Sequence, residues 1–326
     1  MTSRERVRRV LRRELPDRLP FNFWMDRDRM AELDRRLGAD FRVTHYGADV
    51  VETFHGISFF PDFARNAVNK NDGKTSWRVK FPVENAAALV GAAYPDPDTP
   101  AFYAGIRADR EKHPACALFA MVVTPLDILF DQIGMEQLFY DMTDSPEFLE
   151  EALERIARVL LSAVEHIAAC DVDAIYFAGD ICSSRGALMS ESMLRRFCFG
   201  PLRKLIDRAH TLGLPVLYHT DGYVMDLLPL FAEYGIDGIN PLQASAGNDP
   251  AAFARACASQ LLVYGGIDNC FIIPDGTVSE VRSHIRHLFE TLGQNGGLIA
   301  SSHDIPSYCP MENLEAMVDE IRRRVY

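Results

Sequence analysis

The chain has 326 residues, of which 48% are apolar and 25% are charged. This balance excludes a disordered chain, a collagen and a coiled coil, and it is typical of a globular protein with a large core. Acidic residues outnumber Lys and Arg by 46 to 34, which gives a net charge of -12. The excess of negative charge argues against binding to nucleic acid or to an anionic membrane.

The sequence shows neither the targeting signal nor the cysteine pattern that is typical of a secreted protein. The N-terminus lacks the apolar core of a signal peptide, and no stretch approaches the ~20 apolar residues of a membrane-spanning helix. Seven cysteines without a CxxC pair indicate neither a disulfide framework nor a cysteine-rich zinc ribbon. We therefore expect a cytoplasmic protein.

The first predicted element is a helix within residues 1–18, which we interpret as an extension ahead of the first strand. It begins at the capping box Thr2-Ser3-Arg4-Glu5, and Pro16 lies beyond its end. The helix and the residues after it contain a cluster of arginines: Arg4, Arg6, Arg8, Arg9, Arg12 and Arg13. We interpret this cluster as a solvent-facing side of the helix rather than as a nucleic-acid-binding arm.

Eight short apolar runs follow this helix, and each is predicted to be a strand. They cover residues 19–24, 48–52, 116–122, 174–177, 215–218, 237–239, 261–264 and 298–300. Segments with helical periodicity alternate with the later strands, at residues 146–169, 191–212, 224–234, 250–256, 279–292 and 311–324. Because parallel strands need crossover helices, eight repeats favour an α/β fold with a closed (β/α)8 TIM barrel over a Rossmann sheet.

Residues 59–82 interrupt the alternation of strands and helices. Within them, Asn71-Asp72-Gly73 separates two strand-like runs in the manner of a hairpin turn. We expect an inserted β-hairpin near the barrel mouth. Since the strand count reaches eight only if both sides of this segment belong together, residues 1–326 are interpreted as one domain.

Polar residues at the ends of the predicted strands are the candidates for function. In a (β/α)8 barrel the carboxyl ends of the strands meet at one mouth, where catalytic groups lie. The candidates there are Trp24, Asp26, Glu52, Asp180, Arg185, His219, Asp221, Asn240, Gln243, Asp268 and His303. Asp and Asn at such junctions also serve as helix caps or turn formers, and Asp268 fits that role equally well.

The segment Tyr218-His219-Thr220-Asp221-Gly222 is the most informative one. Residues two apart at a strand end point to the same side, so His219 and Asp221 are expected to face the cleft together. With His303 from the last strand they offer the nitrogen and oxygen ligands that zinc accepts in an open, catalytic site. The spacing equally allows a metal-free His and Asp pair that binds substrate.

Several ordered blocks of the sequence resemble the uroporphyrinogen decarboxylase superfamily. They include Ile175-Tyr176-Phe177-Ala178-Gly179-Asp180, Gly238-Ile239-Asn240-Pro241-Leu242-Gln243, Gly265-Gly266-Ile267-Asp268 and Ser302-His303-Asp304. The resemblance is dense from about residue 173 to the C-terminus and sparser before it. It implies a single (β/α)8 barrel with one of two chemistries, which are cofactor-free decarboxylation of porphyrinogen side chains and zinc-dependent methyl transfer to or from a corrinoid.

The segment after the first strand separates the two branches. The porphyrinogen enzymes carry an arginine-rich MRQAGR segment there, whereas this chain has Trp24-Met25-Asp26-Arg27-Asp28-Arg29, whose aspartates disfavour a polyanionic substrate. The tyrosine that the family carries after the third strand has no match within residues 124–134. The methyltransferase branch carries a His-x-Cys zinc motif after strand five, where this chain has His219-Thr220-Asp221.

The resemblance therefore implies an enzyme, most closely a zinc-assisted methyltransferase that moves a methyl group between a small methylated substrate and a corrinoid. His219, Asp221 and His303 would hold the zinc, and Asp180 or Glu52 would act as acid or base on the leaving group. A corrinoid protein and a second copy of the chain are the implied partners. Substrate contacts are expected from Trp24, Asp26, Asn240, Gln243 and Asp268.

Two alternatives stay open. In a cofactor-free decarboxylase of a porphyrinogen-like or other small carboxylic acid, Asp180 would bind a pyrrole-like or cationic ring while His303 and Arg185 orient a carboxylate. The third interpretation is a noncatalytic barrel that binds a small ligand. The crowding of ionisable groups at the mouth favours an enzyme over this last class.

Overall fold

Parallel strands form the centre of the fold in the computed structural model, which describes residues 1–71, 76–257 and 260–326. Strands β1 to β8 are Trp24–Met25, Val50–Phe54, Ala117–Val123, Ala174–Ala178, Val216–His219, Gly238–Asn240, Leu262–Gly266 and Leu298–Ser301. Strands β2 to β8 form one seven-stranded parallel sheet in chain order. Strand β1 pairs in parallel with Asp304–Ile305, directly beyond β8.

The segment that leads into β1 connects the two edges of this sheet. The amide of Asn22 donates to the carbonyl of Ala300 in β8 at 3.0 Å, and the amide of Asp49, next to β2, donates to the carbonyl of Phe21 at 2.8 Å. The sheet therefore closes on itself, and the predicted (β/α)8 barrel is confirmed.

Helices surround the sheet. Helices α1 to α14 are Ser3–Leu11, Arg27–Leu37, Phe41–Thr44, Ala104–Lys112, Pro125–Ile133, Met135–Asp144, Pro146–Ala168, Glu191–Met193, Gly200–Thr211, Leu228–Tyr234, Pro250–Cys257, Ile272–Asp275, Val278–Leu288 and Met311–Arg322. Short 3-10 helices lie at Pro61–Asn66, Ala86–Leu89, Pro100–Tyr103, Met225–Leu227 and Ala244–Ala246, and π-helical turns at Leu194–Phe199 and Phe289–Gly293. Across the residues that the structure describes, no helix is long and apolar enough to cross a membrane.

Alternation along each strand divides the core into two layers. In β3, for example, Phe119 packs inside the barrel while Leu118 packs outward against the helices. Tyr176 and Ile175 of β4 divide in the same way, because successive side chains of a strand point to opposite faces. The inner layer also contains Val7 of α1, which places this helix across the N-terminal end of the barrel.

Arginines of α1 bind buried carboxylates at the N-terminal ends of the strands. Arg6 contacts Asp49, which precedes β2, at 2.7 Å, and Arg4 and Arg8 contact Asp173, which precedes β4, at 2.9 and 2.6 Å. Both aspartate side chains are 0% exposed. The interpretation of the arginine cluster as a solvent-facing side is therefore wrong for Arg4 and Arg6, because helical periodicity does not show which carboxylates the barrel presents to the helix. It holds for Arg12, whose side chain is 56% exposed.

An antiparallel hairpin follows β2, with strands Val68–Asn71 and Ser76–Lys80. The predicted turn at Asn71-Asp72-Gly73 lies partly outside the described residues. Arg78 of the hairpin forms an ion pair with Asp131 of α5 at 2.6 Å. The hairpin thus packs against α5, the helix that follows β3.

Candidate active site at the barrel mouth

A cavity of about 310 Å³ opens where the carboxyl ends of the strands meet. Five of the residues predicted from the sequence line it, namely Trp24, Glu52, His219, Asn240 and His303. They come from β1, β2, β5, β6 and the segment after β8. The barrel thus brings together side chains as distant in the chain as Trp24 and His303, which are 279 positions apart.

His219, Asp221 and His303 form a cluster at one side of this cavity. Their ligand atoms all lie within 4.8 Å of one another. The two imidazole rings are stacked, with centroids 5.2 Å apart and planes inclined by 28°. Two imidazole nitrogens and one carboxylate at such separations can converge on a single divalent ion.

The turn after β5 positions this cluster. The hydroxyl of Thr220 accepts a hydrogen bond from the amide of Ile181 at 3.0 Å. Gly222 has φ +98°, and a Cβ there would lie 2.5 Å from the carbonyl oxygen of Ser183. Any other residue would be both strained and blocked at this position. Gln243 supports the same turn, because its Oε1 accepts from the amide of Gly222 at 2.8 Å.

Hydrogen bonds behind His219 determine which ring nitrogen carries its proton. Asn240 Nδ2 donates to the carbonyl of Tyr264 at 2.6 Å, so Asn240 Oδ1 must face the other way. This oxygen accepts from the Tyr176 hydroxyl at 2.6 Å and lies 2.8 Å from His219 Nδ1. The network therefore assigns the proton to Nδ1 and leaves the lone pair on Nε2.

Asp180 lies beside the cluster. Its Oδ1 accepts from the amide of Asp221 at 2.9 Å and lies 3.9 Å from His219 Nε2. Its side chain is 55% exposed, so solvent reaches its carboxylate. The amide of Asp180 in turn donates to Asp127 at 3.3 Å. Burial, and then the charge of Asp180, raise the pKa of Asp127 to about 6.

Glu52 lies on the β1–β2 side of the cavity and accepts hydrogen bonds from three neutral donors. Oε2 accepts from the indole of Trp24 at 2.9 Å, and Oε1 accepts from the Tyr264 hydroxyl and from Asn22 Nδ2, the latter at 3.5 Å. Burial raises the pKa of Tyr264 well above its usual value. Tyr264 is therefore a proton donor in this network.

Arg42 of α3 lies behind Trp24. Its guanidinium carbon is 3.9 Å from the centroid of the Trp24 ring, and its Nη1 donates to Asn22 Oδ1 and to the carbonyl of Phe23. Burial lowers the pKa of Arg42. Arg42 thus contacts the indole without lining the cavity itself.

Other residues predicted for the site bond to the backbone or are exposed. Asp268 Oδ1 accepts from the amides of Cys270 and Phe271, both at 2.9 Å, and Asp26 Oδ2 accepts from the amide of Ser307 at 2.7 Å. Arg185 is exposed in the turn between Cys182–Ser183 and Gly186–Ala187 and does not line the cavity. Their substrate contacts remain predictions.

The sequence reasoning missed several groups of the site. Tyr176 and Tyr264 lie inside predicted apolar strands, and the alternation of inward and outward side chains within those strands was the signal that could have indicated them. Asn22 precedes its strand end, and Arg42 belongs to a short helix. Neither position has a feature that distinguishes it in the sequence.

Comparisons with known proteins agree with this architecture. A family model described as uroporphyrinogen decarboxylase (URO-D) matches residues 2–324. The uroporphyrinogen decarboxylase of Brucella anthropi is 25% identical over 181 residues, which are 54% of this chain and 50% of that protein. The chain thus matches about half the length of this curated relative.

The fold of the chain is also similar to that of a protein of known structure. A methyltransferase from Methanosarcina mazei superposes with a TM-score of 0.76 and 18% sequence identity, and the match covers 98% of each chain. At this identity the likeness concerns the fold, and the chemistry has to be argued from the side chains of the mouth.

Proposed function

Since the chain belongs to the uroporphyrinogen decarboxylase family, we propose that it is a zinc-assisted methyltransferase that moves a methyl group between a small methylated substrate and a corrinoid. The observation that carries the proposal is the convergence of His219, Asp221 and His303 within 4.8 Å. The identity of the chemistry rests on these side chains rather than on the barrel, which many unrelated enzymes share.

The donor set fits a catalytic zinc ion. Such sites have three protein ligands from His, Cys, Asp or Glu and keep a further position for water or substrate. His219 meets a second requirement, because its Nδ1–H is held by Asn240 and its Nε2 is left for a metal. When bound, zinc would polarise the oxygen, nitrogen or sulfur atom that carries the methyl group of the substrate.

Asp180 is the acid or base that we assign to the leaving group. Transfer of the methyl group to a reduced corrinoid would break the bond from carbon to the heteroatom, and the heteroatom would keep the electron pair and need a proton. Asp180 lies 3.9 Å from His219 Nε2 and is open to solvent, so it can deliver that proton and be recharged. Glu52 is the alternative group for this role, from the far side of the cavity.

The corrinoid would arrive on a partner protein at the solvent-exposed mouth, and a second copy of the chain is the other partner that we propose. His303 and Asp221 are only half-buried, so a ligand that enters from solvent can reach the cluster. Trp24 and Asn240 line the same cavity and would contact the substrate.

Metal content tests this proposal. We expect the protein purified from zinc-supplemented medium to contain stoichiometric zinc, and we expect His219→Ala and Asp221→Ala to lose it. His210→Ala is the matched control, since His210 pairs with Asp237 at 2.9 Å away from the mouth. A wild-type protein that stays free of zinc under these conditions would contradict the proposed chemistry.

The second candidate is a cofactor-free decarboxylase of a small carboxylic acid, which the family match and the relative from Brucella anthropi favour. Carbon dioxide released from aromatic or pyrrolic acids by metal-free protein would establish it. A protein that releases none and transfers no methyl group, yet binds small molecules, would be a noncatalytic binding barrel.

A further inference from the structure

We propose that the substrate carries a positively charged, ammonium-type group that lies against Glu52 and Trp24. In the closed barrel β1 and β5 are four strands apart, so this side of the cavity is across the barrel from His219. The assignment of the reacting end of the substrate to the histidines rests on the proposed function. The preference for a positive charge near Glu52 does not depend on the proposed function.

The charges that line the cavity are negative. Glu52 and Asp304 are its acidic lining residues, and among the described residues no Lys or Arg lines it. Arg42, whose guanidinium carbon lies 3.9 Å from the centroid of the Trp24 ring, does not line the cavity. Because a cavity with low-dielectric walls focuses the field of its own charges, this one attracts a cation and repels a carboxylate.

Glu52 is held in place without a cationic contact. The three groups that donate to it, from Trp24, Tyr264 and Asn22, are neutral. In the part of the chain that the structure describes, Glu52 has no ion pair within 4.0 Å, whereas Asp49 and Asp173 are each paired with arginine. A partly buried carboxylate of this kind gains most from a ligand that supplies the opposite charge.

Aromatic rings complete a surface suited to an ammonium group. Trp24, Phe54 and Tyr176 all line the cavity, and Phe54 is exposed. Cations bind to the faces of such rings, with Trp the strongest. Trp24 already shows this affinity, because the guanidinium of Arg42 lies over it at 3.9 Å.

Ser302 is an independent sign that a polar ligand belongs in this cavity. Ser302 is 2% exposed and lines the cavity, and among the residues that the structure describes its hydroxyl has no hydrogen-bond partner. A buried hydroxyl without a partner costs free energy unless a ligand satisfies it. The substrate class is therefore a small molecule with an ammonium group at Glu52 and a hydrogen-bonding group near Ser302.

Two probes of the same shape separate charge from size. Choline carries a trimethylammonium group, and 3,3-dimethylbutan-1-ol is its uncharged isostere. The chain has two tryptophans, so Trp77→Phe leaves Trp24 as the fluorescent reporter of the cavity. We expect choline to change this fluorescence with an affinity at least about tenfold higher than that of the alcohol.

Substitution of Glu52 links the preference to its carboxylate. In the Trp77→Phe background, Glu52→Gln should reduce the affinity for choline about tenfold and leave that for the alcohol unchanged. Glu32→Gln is the matched control, because it makes the same change in net charge at a half-buried residue of α2 that pairs with Arg29 outside the cavity. A thermal melt checks that each variant is folded. If Glu52→Gln does not fold, the comparison of the two probes in Trp77→Phe decides by itself.

Equal affinities for choline and the alcohol, or tighter binding of the anionic isostere 3,3-dimethylbutanoate, would overturn this inference. The titrations are run on both metal-free and zinc-loaded protein, which keeps the two proposals distinguishable. Choline binding by a protein that holds no zinc would retain the cation site and reject the zinc mechanism. Stoichiometric zinc without a choline preference would reject the cation site alone.

Discussion

Asn240 would orient His219 in the proposed zinc site, although it would not touch the metal itself. Its side-chain amide is fixed by the carbonyl of Tyr264, so its oxygen has to accept the Nδ1 proton of the histidine. The imidazole is thereby held in the one tautomer that presents Nε2 to a ligand. Groups that orient a metal-binding histidine in this way contribute to affinity as strongly as many direct ligands do.

We expect Asn240→Leu to lower the affinity for zinc by about 10- to 100-fold, because the histidine loses the acceptor that fixes its tautomer. Competition with a chromophoric chelator measures this. Asn313→Leu serves as the control, since Asn313 is equally buried and bonds to the carbonyls of Ile273 and Gly276. Equal zinc affinities for the two variants would show that Asn240 has no orienting role.

The residue types at the strand ends predicted some of the residues of the candidate site but not others. The convergence of His219 and His303 was predictable because histidine rarely caps a helix, and Asp221 followed from its spacing of two residues from His219. Asp268 and Gln243 were less predictable, since a side-chain oxygen at such a junction serves a backbone amide as readily as a ligand. Tyr176 was classed with its apolar strand, and only the three-dimensional structure places its hydroxyl against Asn240.

Helix α1 closes the N-terminal end of the barrel by charge as well as by packing. Asp173 receives Arg4 and Arg8 from this helix and also Arg110 from α4, at 3.5 Å. Its second oxygen accepts from the amide of Leu118 in β3 at 2.9 Å. One carboxylate therefore joins two helices and two neighbouring strands.

Asp173→Asn should lower the free energy of unfolding by about 3 kcal/mol, because a buried ion pair that loses one partner leaves the other desolvated and unpaired. Urea unfolding followed by circular dichroism measures the change. Asp171→Asn is the control, as this carboxylate also contacts Arg4 but is 61% exposed, and its loss should cost about 0–1 kcal/mol. Similar losses for the two variants would contradict the role of burial.

The strands were predicted from short apolar runs, and each run overlaps the observed strand. Most observed strands extend one or two residues further toward the C-terminus than the run that predicted them. Apolar runs mark burial, whereas pairing continues into polar residues such as His219 and Asn240. Residues 191–212 were predicted as one helix, and the structure has α8, a π-helical turn and α9 in direct succession. Periodicity does not resolve such a local change in hydrogen bonding.

For the whole molecule, the pH dependence of stability has two opposed contributions near the mouth. Burial lowers the pKa of His55 to about 4, so the stability associated with this group is present above its unfolded pKa and is lost as the pH falls toward 4. The pKa of Asp127 is raised to about 6, so its stability is present below its unfolded pKa and is lost as the pH rises through 6.

Asp127→Asn isolates the second contribution, because His55 is the same in both proteins. We expect the variant to be more stable than wild type at pH 8, by at most about 3 kcal/mol, since it no longer has to hold a charge in a buried position. The gain should shrink between pH 6 and pH 4 as the wild-type carboxyl becomes protonated. Urea unfolding at several pH values measures it, and a difference that does not vary with pH would refute this explanation.

The arginines of α1 bind carboxylates at the end of the barrel opposite the mouth. These ion pairs and the groups that we assign to chemistry are thus separated by the length of the strands. A gene duplicate of this protein can therefore exchange a proposed ligand or substrate contact without disturbing the closure of the barrel by α1. Selection on reactivity in such a lineage leaves this part of the scaffold intact.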